Sequence, residues 1–394
     1  MSKVLEGVKV LDFGRFIAGP FCAALLADFG AEVIRVDRVG GSEDRFIVPV
    51  SEEGEGALFL QVNRNKRSIS LDIDSEAGRE VMHRLLRTAD VVIANMPPRT
   101  IASLGLDYES LCKVKPDIIL TASSAFGSAP SMRDRIGFDG VGQAISGAVY
   151  VTGEPGNPTK MMVPVVDFAT AMSCAMGTMM ALYERRSSGM GQEVGASLLQ
   201  TALNFASGSL IEEAILRVDR QGTGNRAPQY APSDIFRVRD GWIITQVIGS
   251  AMFKRWARMV GRPELLEDER FRDDVSRGQH GELLSEWMSA WCARYTREEA
   301  LARLEEARIP TGPVHSPRQV LEDEAIRASG AFHPVDYPGI AQPVPLVSPP
   351  VSLSRTPPAI ERRPPKAGEH TDEILQSLGY APEEIAALRE RKVV

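Results

Sequence analysis

Val8–Asp37, VKVLDFGRFIAGPFCAALLADFGAEVIRVD, decides how the chain begins to fold. Val8–Phe13 is a short apolar run closed by Gly14 and reads as a buried strand. Gly19-Pro20 opens a helix, with proline suited to its first turn, that continues through Phe21–Phe29 and stops at Gly30. Ala31–Asp37 is a second strand. Strand, helix and strand in such a short span make a βαβ unit and predict a parallel sheet. The turn after the first strand, Gly14-Arg15-Phe16-Ile17-Ala18-Gly19, lacks the G-x-G-x-x-G fingerprint, so a standard dinucleotide site is not expected.

The alternation continues downstream. Ser68–Ile73 reads as a strand, Ser75–Arg87 as an amphipathic helix and Asp90–Asn95 as a strand. Short helices follow at Pro97–Leu104 and Tyr108–Val114, then a strand at Asp117–Ser123. Residues 1–125 thus look like one doubly wound unit. Ligands in such sheets bind outside the carboxyl ends of the strands, where Gly14-Arg15, Arg38 and Asn95-Met96-Pro97 converge on one rim. The basic cluster Asn63–Arg67 (NRNKR) reads either as a solvated loop or as a phosphate clamp, lysine acting as a point charge and arginine as a fork.

A second stretch, Val163–Gln200, carries a single acid, Asp167, at the mouth of a helix rich in alanine and methionine. A helix apolar all round is expected to be buried. Asp167 has two compatible readings. It caps the helix, accepting bonds from first-turn amides, or it is a carboxylate nucleophile that forms an acyl intermediate near amides able to hold an oxyanion.

Beyond Gln200, Thr201–Val218 reads as a helix, and Gln221–Pro228 (QGTGNRAP) as a break that places a domain boundary near residue 222. Residues 223–325 form a smaller α+β module, with strands at Ser233–Arg237 and Trp242–Val247 around the turn Arg239-Asp240-Gly241. Residues 326–394 return: a proline-rich arm over 331–366, then helices at Thr371–Leu378 and Ala381–Arg389.

The bulk numbers narrow the function. The 394 residues are 43% hydrophobic and 25% charged, with a formal net charge of −7, which suits a soluble enzyme and argues against nucleic acid as a partner. Cys22, Cys112, Cys174 and Cys292 lie far apart with no C-x-x-C pair and read as reduced core thiols of a cytoplasmic protein. The five histidines have no metal-ligand spacing, and no G-x-S-x-G elbow is present, so neither a metal site nor a serine hydrolase is expected. The opening MSKVLEG lacks the apolar run of a leader, and no run of about 18 apolar residues free of charge and turn residues predicts a membrane span.

In order and spacing, the segments LEGVKVLDFGRFIAGPFCAALLADFGAEVIRVD, NRNKRSISLDI, ADVVIANMPP, LGLDYESL, GFDGVGQAISG and Asp167 with ALYERRSSGMGQEV resemble the signatures of the class III coenzyme A transferases. That family includes formyl-CoA and succinyl-CoA-dependent transferases and the α-methylacyl-CoA racemases. The resemblance implies an α/β fold: a large Rossmann-like domain built from both chain ends, a smaller α+β domain between, and two subunits interlocked as a homodimer. It implies no permanently bound cofactor, with an acyl-CoA and a small carboxylic acid as substrates. Asp167 matches the family's nucleophile, which attacks the acyl-CoA carbonyl to give a mixed anhydride. Ile17, Ala18, Arg38, Asn63, Lys66, Asn95, Met96 and Pro97 match segments that contact coenzyme A, with Met96 in place of the usual phenylalanine, and either Arg135 or Arg133 matches a phosphate partner in the loop before Phe138. The racemases carry a histidine base where this chain has Phe138, and a phenyl ring accepts no proton. Transfer is therefore favoured over racemisation, and a non-catalytic CoA-binding protein is the remaining alternative.

Overall fold

The structure, a computed structural model, describes residues 3–394. Met1 and Ser2, the start of the segment read as lacking a leader, lie outside the described residues. The chain forms two compact units. One comprises the chain up to Ser146, Met161–Ser209 and Ala328–Val394; the other comprises Gly147–Lys160 and Leu210–Arg327.

In the first unit the opening βαβ forms as the sequence requires: β1 (Lys9–Asp12), α1 (Ala18–Asp28) and β2 (Glu32–Asp37). It continues with α2 (Ala57–Val62), β3 (Lys66–Ser70), α3 (Glu76–Thr88), β4 (Val91–Ala94), α4 (Pro98–Ser103), α5 (Tyr108–Val114), β5 (Ile119–Ser124) and α6 (Asp139–Ile145). The excursion to the second unit carries α7 (Ala148–Val151) and the two-residue strands β6 (Gly153–Glu154) and β7 (Asn157–Pro158). The chain returns as α8 (Val165–Ser188), β8 (Glu193–Ser197) and α9 (Leu198–Leu216). Six strands pair in parallel in the order β3-β2-β1-β4-β5-β8. β4 (VVIA) is apolar throughout, as suits a central strand covered on both faces, whereas β2 and β3 bury Arg35, Asp37 and Lys66 as ion pairs. Gly14 and Gly19 make the turn between β1 and α1 possible: a Cβ on Gly19 would stand 2.8 Å from the Gly14 Cα, closer than side-chain atoms approach.

Both chain ends build this unit. Ile374, Leu375, Ile385, Leu388 and Val393 join the core formed by Leu11, Val36, Ile69, Leu85 and Val92. Backbone bonds lock them in: His370 N–H donates to Ser68 O at 3.0 Å, and Asp72 N–H to Val393 O at 2.8 Å.

Three sequence expectations change. First, β3 starts at Lys66 rather than Ser68, because the charge of Lys66 is neutralised inside the sheet. Second, α8 is not buried all round. Ala171, Cys174, Ala181 and Leu182 face α1 and the sheet, and Val166 packs on Leu198 and Ala202, whereas Met176, Met180 and Tyr183 are 57%, 61% and 77% exposed. This helix alone, among the described residues, is long and apolar enough to cross a membrane, but its inner face belongs to the core of the domain. Third, the second unit begins at Leu210, ahead of the expected break at 222, and includes Gly147–Lys160. The bridge from Gly224 N–H to Gly153 O at 2.6 Å binds the two segments together.

The second unit combines a small sheet with helices. Strands Ser233–Val238, Gly241–Gln246 and Thr311–Pro313 form an antiparallel sheet. It packs on helices through Phe253, Trp256, Met288 and Trp291. The start of the helix at Ser250 is fastened: Gly249 N–H donates to both carboxylate oxygens of Asp274 at 3.0 and 2.9 Å.

Candidate active site

At the carboxyl end of the sheet, β1 and β4 meet where the strand order reverses, the place at which such folds bind ligands. A cavity of about 180 Å³ opens there. Asp167 lines it, together with Ala18, Asn95, Met96, Pro97 and Arg135. Phe16, Phe138, Ile136 and Leu198 make much of the remaining wall apolar.

The geometry around Asp167 corrects the capping interpretation. Asp167 sits in the first turn of α8, but its carboxylate is not the cap. The cap is Asp139, at the start of α6: its Oδ2 accepts the backbone N–H of Val166 at 2.7 Å and of Asp167 at 3.0 Å. Its Oδ1 accepts from the Gln143 side chain, and Gln143 Oε1 in turn accepts Met161 N–H at 2.9 Å. Asp139 is thereby spent on structure, leaving Asp167 pointed at the cavity. Burial, and then the neighbouring charge of Asp139, push the Asp167 carboxyl up to about 7. An anion there is kept accessible by the positive end of α8.

The loops that frame the cavity are held by specific contacts. Asn95 clasps the backbone of Arg15, accepting its N–H at 2.7 Å and donating to its carbonyl at 2.6 Å. Phe16 occupies the left-handed region, φ +61°, an uncommon state for an aromatic residue. It is kept there by Asp44, which accepts Phe16 N–H at 3.1 Å and is itself gripped by Arg35 at 2.8 and 2.9 Å. The Phe16 and Phe138 rings meet edge to face at 5.4 Å. Gly137 lets the following loop lie against β5, since a Cβ there would come within 3.0 Å of the Ala125 Cβ.

A second cavity of about 530 Å³ shares Arg15 and Met96 with the first and is lined by Arg38, Leu71–Asp74, Thr100 and Lys392. Arg38, expected near a nucleotide, therefore lies beside the Asp167 cavity and not in it. Ile17 is buried at the start of α1 and lines neither cavity. Arg135 lines the first cavity with its guanidinium 4.9 Å from the Phe126 ring centre, while Arg133 pairs with Asp134.

Asn63 and Lys66 do not reach either cavity. Lys66 is 1% exposed, and its ammonium donates to Asp12 Oδ2 at 2.7 Å, Pro20 O at 2.7 Å and Asn63 Oδ1 at 2.8 Å. Arg64 is fully buried against Asp28. The NRNKR cluster is thus neither a solvated loop nor a clamp open to phosphate. Its Arg64 and Lys66 form internal ion pairs while Arg67 pairs with the exposed Glu32 and Glu373, and burial pushes the Lys66 ammonium down to about 8.

The sequence did not disclose Asp139, Gln143 or Asp44 as supports of the site. Their partners lie 18 to 28 residues away along the chain, so no local pattern marks them. Among the described residues no three His, Cys, Asp or Glu side chains cluster as a metal site.

Comparison with known proteins identifies the family. Residues 5–371 match the family model for CoA-transferase family III. The chain belongs to that family. It is 32% identical to a succinyl-CoA–D-citramalate CoA-transferase of Chloroflexus aurantiacus, over 99% of this chain and 98% of the relative. It is 30% identical to the succinyl-CoA:glutarate CoA-transferase of Mus musculus, over 86% of this chain and 78% of the relative. A CAIB/BAIF family protein of Brucella suis superposes with a TM-score of 0.84 at 30% identity, covering 96% of this chain and all of that one. As a family III CoA-transferase, the protein is an enzyme that moves coenzyme A between acyl groups.

Proposed function

We propose that the enzyme transfers coenzyme A from an acyl-CoA, with succinyl-CoA as the donor class, to a small carboxylic acid through an anhydride on Asp167. The observation that carries this is a carboxyl in a cavity with largely apolar walls, raised to about 7 and freed from capping duty by Asp139. An Asp167 oxygen attacks the thioester carbonyl carbon; the C–S bond breaks and CoA thiolate leaves, giving the acyl–aspartyl anhydride. Thiolate then attacks the aspartyl carbonyl, releasing the donor acid and leaving an aspartyl thioester. The acceptor carboxylate attacks that thioester to form its own anhydride, and thiolate attacks the acceptor carbonyl, releasing the new acyl-CoA and free Asp167. Every step exchanges one activated acyl bond for another, so no ATP is consumed. Little water enters a largely apolar pocket, which protects the anhydride from hydrolysis.

Related enzymes named for citramalate and glutarate suggest a dicarboxylic acceptor. Arg135, whose guanidinium borders the same cavity, suits the distal carboxylate. Phe138 in the cavity wall offers no second base, which disfavours racemisation. The exposed apolar side of α8, continued by Leu25, Phe29, Val351 and Leu353, suits a second copy of the chain in an interlocked homodimer. The four free thiols suit a reducing cytoplasm.

The test is to incubate the enzyme with succinyl-CoA, trap with hydroxylamine, and weigh the peptide containing Asp167. A mass shift on that peptide is expected, and its absence from Asp167→Asn. Turnover with no modification of the peptide would sink the mechanism.

A further inference from the structure

We propose that the C-terminal tail completes the nucleotide half of the acyl-CoA site, with Lys392 as a phosphate-binding residue. The inference rests on the acyl-CoA reading above. The larger cavity adjoins the Asp167 cavity through Arg15 and Met96. A thioester placed at Asp167 therefore has its remaining length directed toward Arg38 and the tail.

The lining suits a phosphorylated adenosine. Three cations, Arg15, Arg38 and Lys392, border the cavity with three acids, Asp37, Asp72 and Asp74. Asp37 is committed to Arg35 at 2.9 Å, Arg45 at 2.6 Å and Ser68 at 3.0 Å, so it does not repel a ligand as a free charge. Asp72 accepts the Asp74 N–H at 3.2 Å and shapes the loop after β3. The mixed lining matches a nucleotide, which presents anionic phosphates together with hydroxyl and amine donors, better than it matches a bare polyanion.

The tail is placed, not loose. Val393 is 2% exposed and packs in the core with Leu388, and its carbonyl accepts the Asp72 N–H at 2.8 Å. Val393 N–H returns to Leu388 O at 2.9 Å, closing the last helix. Between these anchors Lys392 takes φ +56°. That is the position after a helix end where glycine is favoured and a side chain is strained. A lysine at a glycine position, lining a cavity that Arg15 and Arg38 also border, is accounted for by what its ammonium binds.

The backbone supplies a clean test, because Lys392→Gly is compatible with the fold. Binding of coenzyme A and of a pantetheine fragment lacking the nucleotide is measured by calorimetry for the parent, Lys392→Gly and Arg38→Ala. The inference expects Lys392→Gly to bind coenzyme A about tenfold more weakly, with a shallower salt dependence. The fragment should bind unchanged, and the unfolding midpoint should stay at or above the parent's. If Lys392→Gly binds coenzyme A as the parent does while Arg38→Ala loses affinity, the tail is a bystander and the inference falls. Equal losses for coenzyme A and the fragment would also overturn it, marking a general disturbance. Failure of the parent itself to bind coenzyme A would instead remove the acyl-CoA reading beneath it.

Discussion

The Asp139 carboxylate holds the backbone N–H of Asp167 at 3.0 Å while its charge helps to keep the Asp167 carboxyl protonated up to about 7. One acid thus fixes where the other stands and helps to set the pH at which it ionises, which in the proposed mechanism is the pH at which it attacks. Because burial is the larger cause, removing Asp139's charge lowers the Asp167 pKa without restoring a solvent value.

The first expected outcome is a pH profile. In the proposed mechanism only ionised Asp167 attacks, so kcat/KM for thioester exchange should rise about tenfold per pH unit up to 7 and level above it. Asp139→Asn, which can still accept the two amides, should shift the inflection downward. A profile flat from pH 5 to 8 in the parent would remove Asp167 from the attacking role.

The second concerns stability, and its sign is set by linkage. The folded pKa is about 7, above the unfolded carboxyl at about 3.9, so the folded state binds more protons between these values. The group favours folding most below its unfolded pKa, and that contribution is lost as pH rises through 7. Asp167→Asn should therefore match the parent near pH 4 and exceed it at pH 8. The gain is about 1–2 kcal/mol after allowance for solvent screening. Urea unfolding at both pH values measures this, and exchange by the same variant should fall at least ~10³-fold.

A third prediction separates the buried basic cluster from ligand binding. Lys66→Met leaves the Asp12 carboxylate at 0% exposure without its counter-ion, with the Gly14 N–H still donating to Oδ1 at 2.8 Å. The cost should be roughly 3–5 kcal/mol, the range for breaking one partner of a buried pair. Denaturant unfolding should show this loss, whereas a surface lysine that met only ligand would show almost none.

That cluster also marks how far sequence carries. The βαβ opening is legible because apolar runs, Gly14, Gly30 and Pro20 act through near neighbours. Asp167 is legible as a lone acid in an apolar stretch. The destinations of Lys66 and Arg64 are not, since Asp12 and Asp28 lie 54 and 36 residues earlier. A positive run then looks like a surface. The exposed side of α8 misleads in the opposite direction: Met176, Met180 and Tyr183 look like core, because apolar pattern does not say which molecule covers a helix face.

That face gives the fourth prediction. With Met176, Met180 and Tyr183 over half exposed beside Val351, the proposed homodimer should dissociate when a charge enters its seam. Met176→Asp is expected to move the parent's dimer mass to that of a monomer or an aggregate in light scattering. A parent that runs as a monomer at micromolar concentration would refute the proposed pairing.

The last prediction bears on which acid is accepted. Arg135 borders the Asp167 cavity and rests 4.9 Å over Phe126, and among the described residues no carboxylate lies within ion-pair distance of it. On the proposed dicarboxylic reading, a guanidinium so placed would bind the second carboxylate bidentately while the first is activated at Asp167. Arg135→Met keeps the length and apolar packing of the stem but loses the fork. A charge-assisted bond contributes about 1.5–3 kcal/mol, so KM for a dicarboxylic acceptor should rise roughly 10- to 100-fold. Monocarboxylic acceptors, which never use the contact, should be unaffected or improve. Steady-state exchange with a matched pair such as glutarate and butyrate reads the difference directly. An equal loss on both acids would assign Arg135 to the shape of the loop and leave acceptor choice to other walls of the cavity.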